Sequence, residues 1–100
     1  MINANWKKSL KKYLIEIVPH AMKRSIERNF SIDKLRKLLF MGRWFDDPKN
    51  ADKRYICICK DGEDYWTICF EVSHPVIFII TFIPSDNREK RAFDKKSDTL

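Results

Sequence analysis

One imidazole and two guanidinium groups recur at four-residue intervals near the start of the chain, at His20, Arg24 and Arg28. Four residues of an α-helix turn the chain by about 400°, so each of these residues is offset from the previous one by only about 40°. The three therefore share one helix face. Histidine titrates near neutral pH, and arginine binds phosphate through paired hydrogen bonds. Together they could hold a phosphodiester and move a proton beside it.

RNA cleavage without a metal needs these residue types. A base removes the proton of the 2′-hydroxyl, an acid protonates the leaving 5′-oxygen, and cations stabilise the phosphorane. His20 is predicted to transfer protons, a role typically worth about 100- to 10,000-fold in rate. Arg24 and Arg28 are predicted to bind the phosphate. The alternatives are a surface or capping role for His20 and a helix-supporting ion pair between Arg24 and Glu27.

The positive charge of the chain is concentrated near its start. The net charge is +6, and residues 1–28 hold seven Lys or Arg against two Glu. Such a surface attracts phosphate polymers by counterion release. A solvated lysine face and ordinary cross-strand tyrosines are the alternative interpretations. The side chains predicted to contact RNA are Lys7, Lys8, Lys11, Lys12, Tyr55, Lys60 and Tyr65.

Three helices are predicted before residue 42, from apolar residues at helical spacing. The first, over residues 5–17, would place its lysines opposite its apolar side, although residues 15–18 are also compatible with a short strand. In the second, Met22, Ile26 and Ala21 are expected to face the core. The second helix is predicted from residue 19 or 20 to about 29, and the third over residues 32–41 with Ser31 as its cap.

Alternating apolar and polar residues predict three strands, over residues 54–60, 65–72 and 76–83. Residues 43–52 are predicted to form a loop. Helices followed by an antiparallel meander indicate the α+β class, with two or three N-terminal helices packed on one face of a three- to four-stranded antiparallel sheet. Residues 1–84 are expected to form this single domain. Residues 85–100 are expected to be a polar tail, either disordered or with a short helix around 88–93.

Composition excludes several classes of protein. The three cysteines, Cys57, Cys59 and Cys69, have neither disulfide-framework nor zinc-site spacing, so we expect a reducing compartment, no metal and no cofactor. No apolar run approaches the roughly 18 residues of a membrane span, and no signal core follows the N-terminal lysines. The sequence therefore predicts a cytoplasmic protein that does not bind a membrane.

Three parts of the chain resemble a known family. The pattern Pro19-His20-Ala21-x-x-Arg24-x-x-x-Arg28, the helix opening at Ser31-Ile32 and the segment from Val76 to Pro84 resemble small prokaryotic domains distantly related to RelE-type toxins. These belong to the barnase–EndoU–colicin–RelE group of metal-independent ribonucleases. The resemblance covers about residues 15–84 and implies a RelE-like fold. It also implies site roles for His20, Arg24 and Arg28, supported by Thr81 on the last strand and Arg54 on the first.

The resemblance implies a toxin of a type II toxin–antitoxin system, a metal-independent endoribonuclease that cleaves RNA through the 2′-hydroxyl. Its partners would be RNA and a cognate antitoxin protein, and assembly into a homodimer stays open. Two other functions remain open on the residues alone. One is a basic nucleic-acid-binding or regulatory protein that leaves RNA intact. The other is an interaction module whose strand face or edge docks a partner.

Overall fold

A computed structural model of the chain describes residues 10–47, 49, 54–97 and 100. Within these residues, a short 3₁₀ turn at Leu10–Lys12 precedes three α-helices and five strands. In chain order the elements are β1 (Leu14–Ile17), α1 (Pro19–Glu27), α2 (Ile32–Met41), β2 (Arg43–Asp46), β3 (Arg54–Asp61), β4 (Asp64–Ser73), β5 (Val76–Pro84) and α3 (Asn87–Asp94).

The strands form one mixed sheet in the order β1-β5-β4-β3-β2. Strands β2 to β5 pair antiparallel, and β1 pairs parallel to β5. The predicted α+β class is confirmed. The prediction of a three- to four-stranded, wholly antiparallel sheet is wrong, because short strands join both edges of the predicted meander.

The first of these edge strands replaces part of the helix predicted over residues 5–17. Residues 5–9 lie outside the described residues, and the chain from Leu14 to Ile17 is extended. Ile15 is buried and pairs with Ile77 on β5. The residue before a proline avoids the helical region, so Pro19 keeps Val18 extended and favours a strand over a helix that would run into it.

The second edge strand lies in the segment predicted to be a loop, where Phe45 pairs with Ile56 on β3. Gly42 makes this approach possible at the end of α2. A Cβ atom at Gly42 would contact the Sγ atom of Cys57 and lie 2.9 Å from the carbonyl oxygen of Ile58. Glycine is therefore required for the chain to leave the helix this close to β3.

Helices cover both faces of the sheet. The first face packs against α1 and α2, with Ile68, Phe70 and Ile79 at its centre. On the second face, Ala92 of α3 packs with Phe45, Ile56 and Ile58. The expectation that all helices are N-terminal and cover one face is wrong.

The predicted polar tail contains α3, which confirms the alternative of a short helix around residues 88–93. Asp86 accepts a hydrogen bond from the backbone N–H of Glu89, and the Glu89 carboxylate accepts one from the N–H of Asp86. This capping box satisfies two helix N–H groups in a segment with little apolar sequence. Packing of α3 on the sheet buries Ala92, which the segment could not bury by itself.

Candidate functional site

Helix α1 presents the His20 face because small residues hold its other side against the sheet. Pro19 opens the helix after an extended Val18, as its fixed φ angle favours. Ala21 and Ser25 are buried, and the Ser25 hydroxyl donates to the carbonyl oxygen of Met22 at 2.8 Å. Met22 and Ile26 are 38% and 67% exposed. The prediction that they face the core is wrong, because the small residues let α1 lie close to β5.

The polar side of α1 forms a shallow surface depression. His20, Arg24 and Arg28 all line it, so the structure brings together the three residues that the helical spacing relates. His20 and Arg28 are exposed, and Arg24 is half-buried. An imidazole and two guanidinium groups are thus accessible from one surface.

The charge of this depression is positive. Lys23 and Glu27 complete its lining, which gives three cations and one carboxylate. Among the residues that the structure describes, no carboxylate lies within ion-pair distance of Arg24 or Arg28, so the ion pair considered between Arg24 and Glu27 is not formed. The guanidinium groups remain available to an anion.

Arg28 differs from Arg24 because it also contacts the sheet. Its guanidinium carbon lies 4.6 Å from the centroid of the Trp66 ring on β4. Arg28 itself follows the last residue of α1, with φ −105° and ψ 9°, and its guanidinium lies over the Trp66 ring, where a cation is favourable.

Arg54 and Thr81 do not join this depression. Arg54 lies on the second face of the sheet, where its Nε atom is 3.4 Å from the Oε1 atom of Glu71. Thr81 pairs with Cys69, whose side chain packs in the cluster beneath α3. The sheet therefore separates these two residues from His20. Their predicted support of the reaction would need a site that spans both faces.

The two tyrosines predicted to stack bases also lie on opposite faces. Tyr55 packs on the first face, with its ring 5.8 Å from that of Phe70. Tyr65 faces α3, where its hydroxyl donates to Asp94 at 2.8 Å and its ring meets the edge of Phe93. Successive residues of a strand alternate between the two faces of the sheet, and residues paired across neighbouring strands point to the same face. Tyr55 pairs with Phe70 and so shares its face. Tyr65 lies an odd number of residues from Phe70 on β4, so its ring lies on the opposite face from the Tyr55 ring.

The predicted lysine contacts are spread over the surface. Lys7 and Lys8 lie outside the described residues. Lys11 and Lys12 are exposed in the 3₁₀ turn and do not line the depression. Lys60 is exposed at the end of β3, with its ammonium nitrogen 5.0 Å from the centroid of the Tyr65 ring. RNA contacts by these lysines remain a prediction.

Two lining residues, Lys23 and Glu27, are missing from the site predicted from the sequence. They follow His20 by three and seven residues, so the same helical spacing that groups Arg24 with His20 also indicates them. Trp66 had no comparable signal. Its position in β4 predicts a core residue, and only the approach of α1 brings Arg28 over its ring.

Comparison of the chain with protein-family models, with curated proteins and with solved structures gave no match in any of the three. In the described part of the chain, no three His, Cys, Asp or Glu side chains are grouped as metal ligands would be. Over the same residues, every helix is too short or too polar to cross a bilayer.

Proposed function

We propose that this chain is a metal-independent endoribonuclease that binds the RNA backbone in the depression on α1. The observation that carries the proposal is the shared lining of that depression by His20, Arg24 and Arg28. Arginine forks match the geometry of phosphate oxygens, and exposed imidazole can exchange protons with a bound substrate. The excess of cations over carboxylates in the depression favours a polyanion.

The proposed reaction is an in-line transesterification. The 2′-oxygen attacks the adjacent phosphorus as His20 removes its proton, and the bond between phosphorus and the 5′-oxygen breaks. The products are a 2′,3′-cyclic phosphate and a free 5′-hydroxyl, which takes up one proton. Arg24 and Arg28 stabilise the additional negative charge that develops on the phosphorane.

The proton for the leaving oxygen requires a second group or water. Glu27 is the carboxylate that lines the same depression, two helical turns from His20 and about 10 Å from it along the axis. As a carboxylate, Glu27 carries no proton to donate, so we assign the second proton transfer to solvent water, which reaches this open depression.

Cleavage of a labelled single-stranded RNA in EDTA tests the proposal. We expect His20→Ala to lower the cleavage rate at least about 100-fold, while RNA binding changes little. The matched control is His74→Gln, because His74 is the other histidine of the chain and lies exposed in the turn before β5. Equal rates for the parent and His20→Ala would overturn the proposal.

The cellular role that we propose follows the RelE resemblance: a type II toxin held inactive by a cognate antitoxin protein. Expression of the chain alone should then arrest bacterial growth, and expression of His20→Ala should not. Growth arrest by both the parent chain and His20→Ala would show that toxicity does not depend on His20, and would contradict this role.

A second function is favoured by the positions of Arg54 and Thr81. Because these residues lie across the sheet from α1, three of the five residues predicted to act together share the site. A basic protein that binds RNA without cleaving it needs only the cations of the depression. Salt-sensitive binding together with intact RNA in the same assay would support this function instead.

A further inference from the structure

A second depression adjoins the one on α1. It lies between the end of α1, the hairpin that joins β3 to β4, and the start of α3. Arg28 lines both depressions, so they meet at its side chain. Trp66 and Lys90 line the second depression together with the carboxylates of Glu63 and Asp64.

Trp66 forms an aromatic wall of this depression. Its ring stacks on Phe82, with centroids 4.8 Å apart and an interplanar angle of 18°. The Arg28 guanidinium also lies over the indole ring. Because Arg28 is exposed, the outer side of its planar guanidinium is open to a second flat group.

The same tryptophan holds an unused hydrogen-bond donor. Trp66 is 7% exposed, and its indole N–H is buried without a partner among the described residues. A buried donor of this kind lowers stability unless a ligand or water accepts its hydrogen bond.

The charges of the second depression indicate which part of RNA it would take. A phosphate would meet the carboxylates of Glu63 and Asp64 as well as the cations of Arg28 and Lys90. A nucleobase carries both N–H donors and oxygen or nitrogen acceptors on its edge, which suits this mixture. Its flat face can stack on aromatic rings and on arginine planes.

We infer that the second depression is a subsite for one unstacked base of single-stranded RNA, which stacks on the Arg28 guanidinium. The inference rests on the proposed function, because it assumes that the backbone crosses the neighbouring depression on α1. A base held in a duplex keeps its neighbours stacked and its edge paired, so it cannot enter. The subsite therefore makes single-stranded RNA the substrate.

The test compares two oligonucleotides that carry the same phosphates. One is a single-stranded 2′-O-methyl RNA, which cannot undergo attack by the 2′-oxygen, and the other is its abasic counterpart. For the parent protein we expect the base-containing strand to bind at least about tenfold more tightly in a fluorescence anisotropy titration. Equal affinities, or no binding of either strand, would overturn the inference.

Substitution of Arg28 tests whether the preference for the base-containing strand depends on its guanidinium. Arg28→Lys keeps the charge and removes the plane, so we expect the ratio of the two affinities to fall at least about threefold. The matched control is Arg91→Lys on the exposed side of α3, which should keep the parent ratio. An unchanged ratio in Arg28→Lys would place base recognition elsewhere and overturn the subsite.

These results separate the two proposals. A protein that prefers the base-containing strand but leaves cleavable RNA intact would retain the subsite and lose the ribonuclease function. A protein that cleaves RNA without any preference for bases would retain the ribonuclease function and lose the subsite.

Discussion

The guanidinium carbon of Arg28 lies 4.6 Å from the centroid of the Trp66 ring. This contact joins the residue that follows α1 to β4, the central strand of the sheet. The basic face of α1 is therefore continuous with an aromatic surface that belongs to another element. A nucleic acid that bound both would contact phosphate and base through one shared arginine.

Removal of Arg24 should weaken RNA binding without changing sequence preference. Arg24→Ala deletes one proposed phosphate contact, so the slope of log Kd against log salt concentration should decrease by about one. Arg88→Ala is the matched control, because Arg88 is exposed on α3 across the sheet. Anisotropy titrations at several salt concentrations give both slopes. An Arg24→Ala slope equal to that of Arg88→Ala would exclude Arg24 from the phosphate site.

Cys69 should make stability depend on pH in alkaline solution. Burial raises the pKa of its thiol from the ordinary value of 9.0 to about 11, and the charges of Asp47 and Glu89 add to the rise, while Arg54 opposes it. Between these two pH values the unfolded chain releases a proton that the folded chain keeps. The contribution of the protonated thiol is fully present below pH 9 and is lost as pH rises to about 11.

The measurement is the free energy of unfolding in urea across this pH range. Lysines and tyrosines titrate in the same window, so Cys69→Ala is compared with the parent. We expect a shallower alkaline decline in the variant. Parallel curves would show that the folded protein does not hold the Cys69 proton more tightly than the unfolded chain does.

Thr67 and Ser85 should behave as a coupled pair. Their hydroxyl oxygens are 2.7 Å apart and buried between β4 and the residue after β5. Thr67→Val leaves the Ser85 hydroxyl without this partner and should lower the free energy of unfolding by about 1–3 kcal/mol. The double variant Thr67→Val/Ser85→Ala removes both polar groups and should lose less than the sum of the single variants. Additive losses in chemical denaturation would contradict the coupling.

Elements with strong local signals could be predicted within a residue or two. Helix α2 spans Ile32–Met41 as predicted, and the Ser31 side chain accepts from the backbone N–H of Lys34 at 3.1 Å. Strands β3, β4 and β5 begin and end close to their predicted limits. Helix caps, hairpin turns and the alternation of apolar and polar residues depend on interactions between residues close in the chain, so they can be predicted from the sequence alone.

The short edge strands could not be predicted in the same way. Strands β1 and β2 have four residues each, and their partners lie on β5 and β3. A segment of four residues is compatible with several structures until a neighbouring strand accepts its hydrogen bonds. Helix α3 likewise has caps in its sequence, but only the sheet makes it part of the core.

The sequence by itself determined that His20 and Arg24 share a helix face and that Arg28 follows within one further turn of the chain, because the period of the α-helix is a local property. It also determined the alternation of β3, β4 and β5. The tertiary structure alone decided that Arg28 covers Trp66 and that Arg54 and Thr81 lie across the sheet. Those relations depend on strand order, on register and on which face each helix covers, and these are settled by burial between segments far apart in the chain.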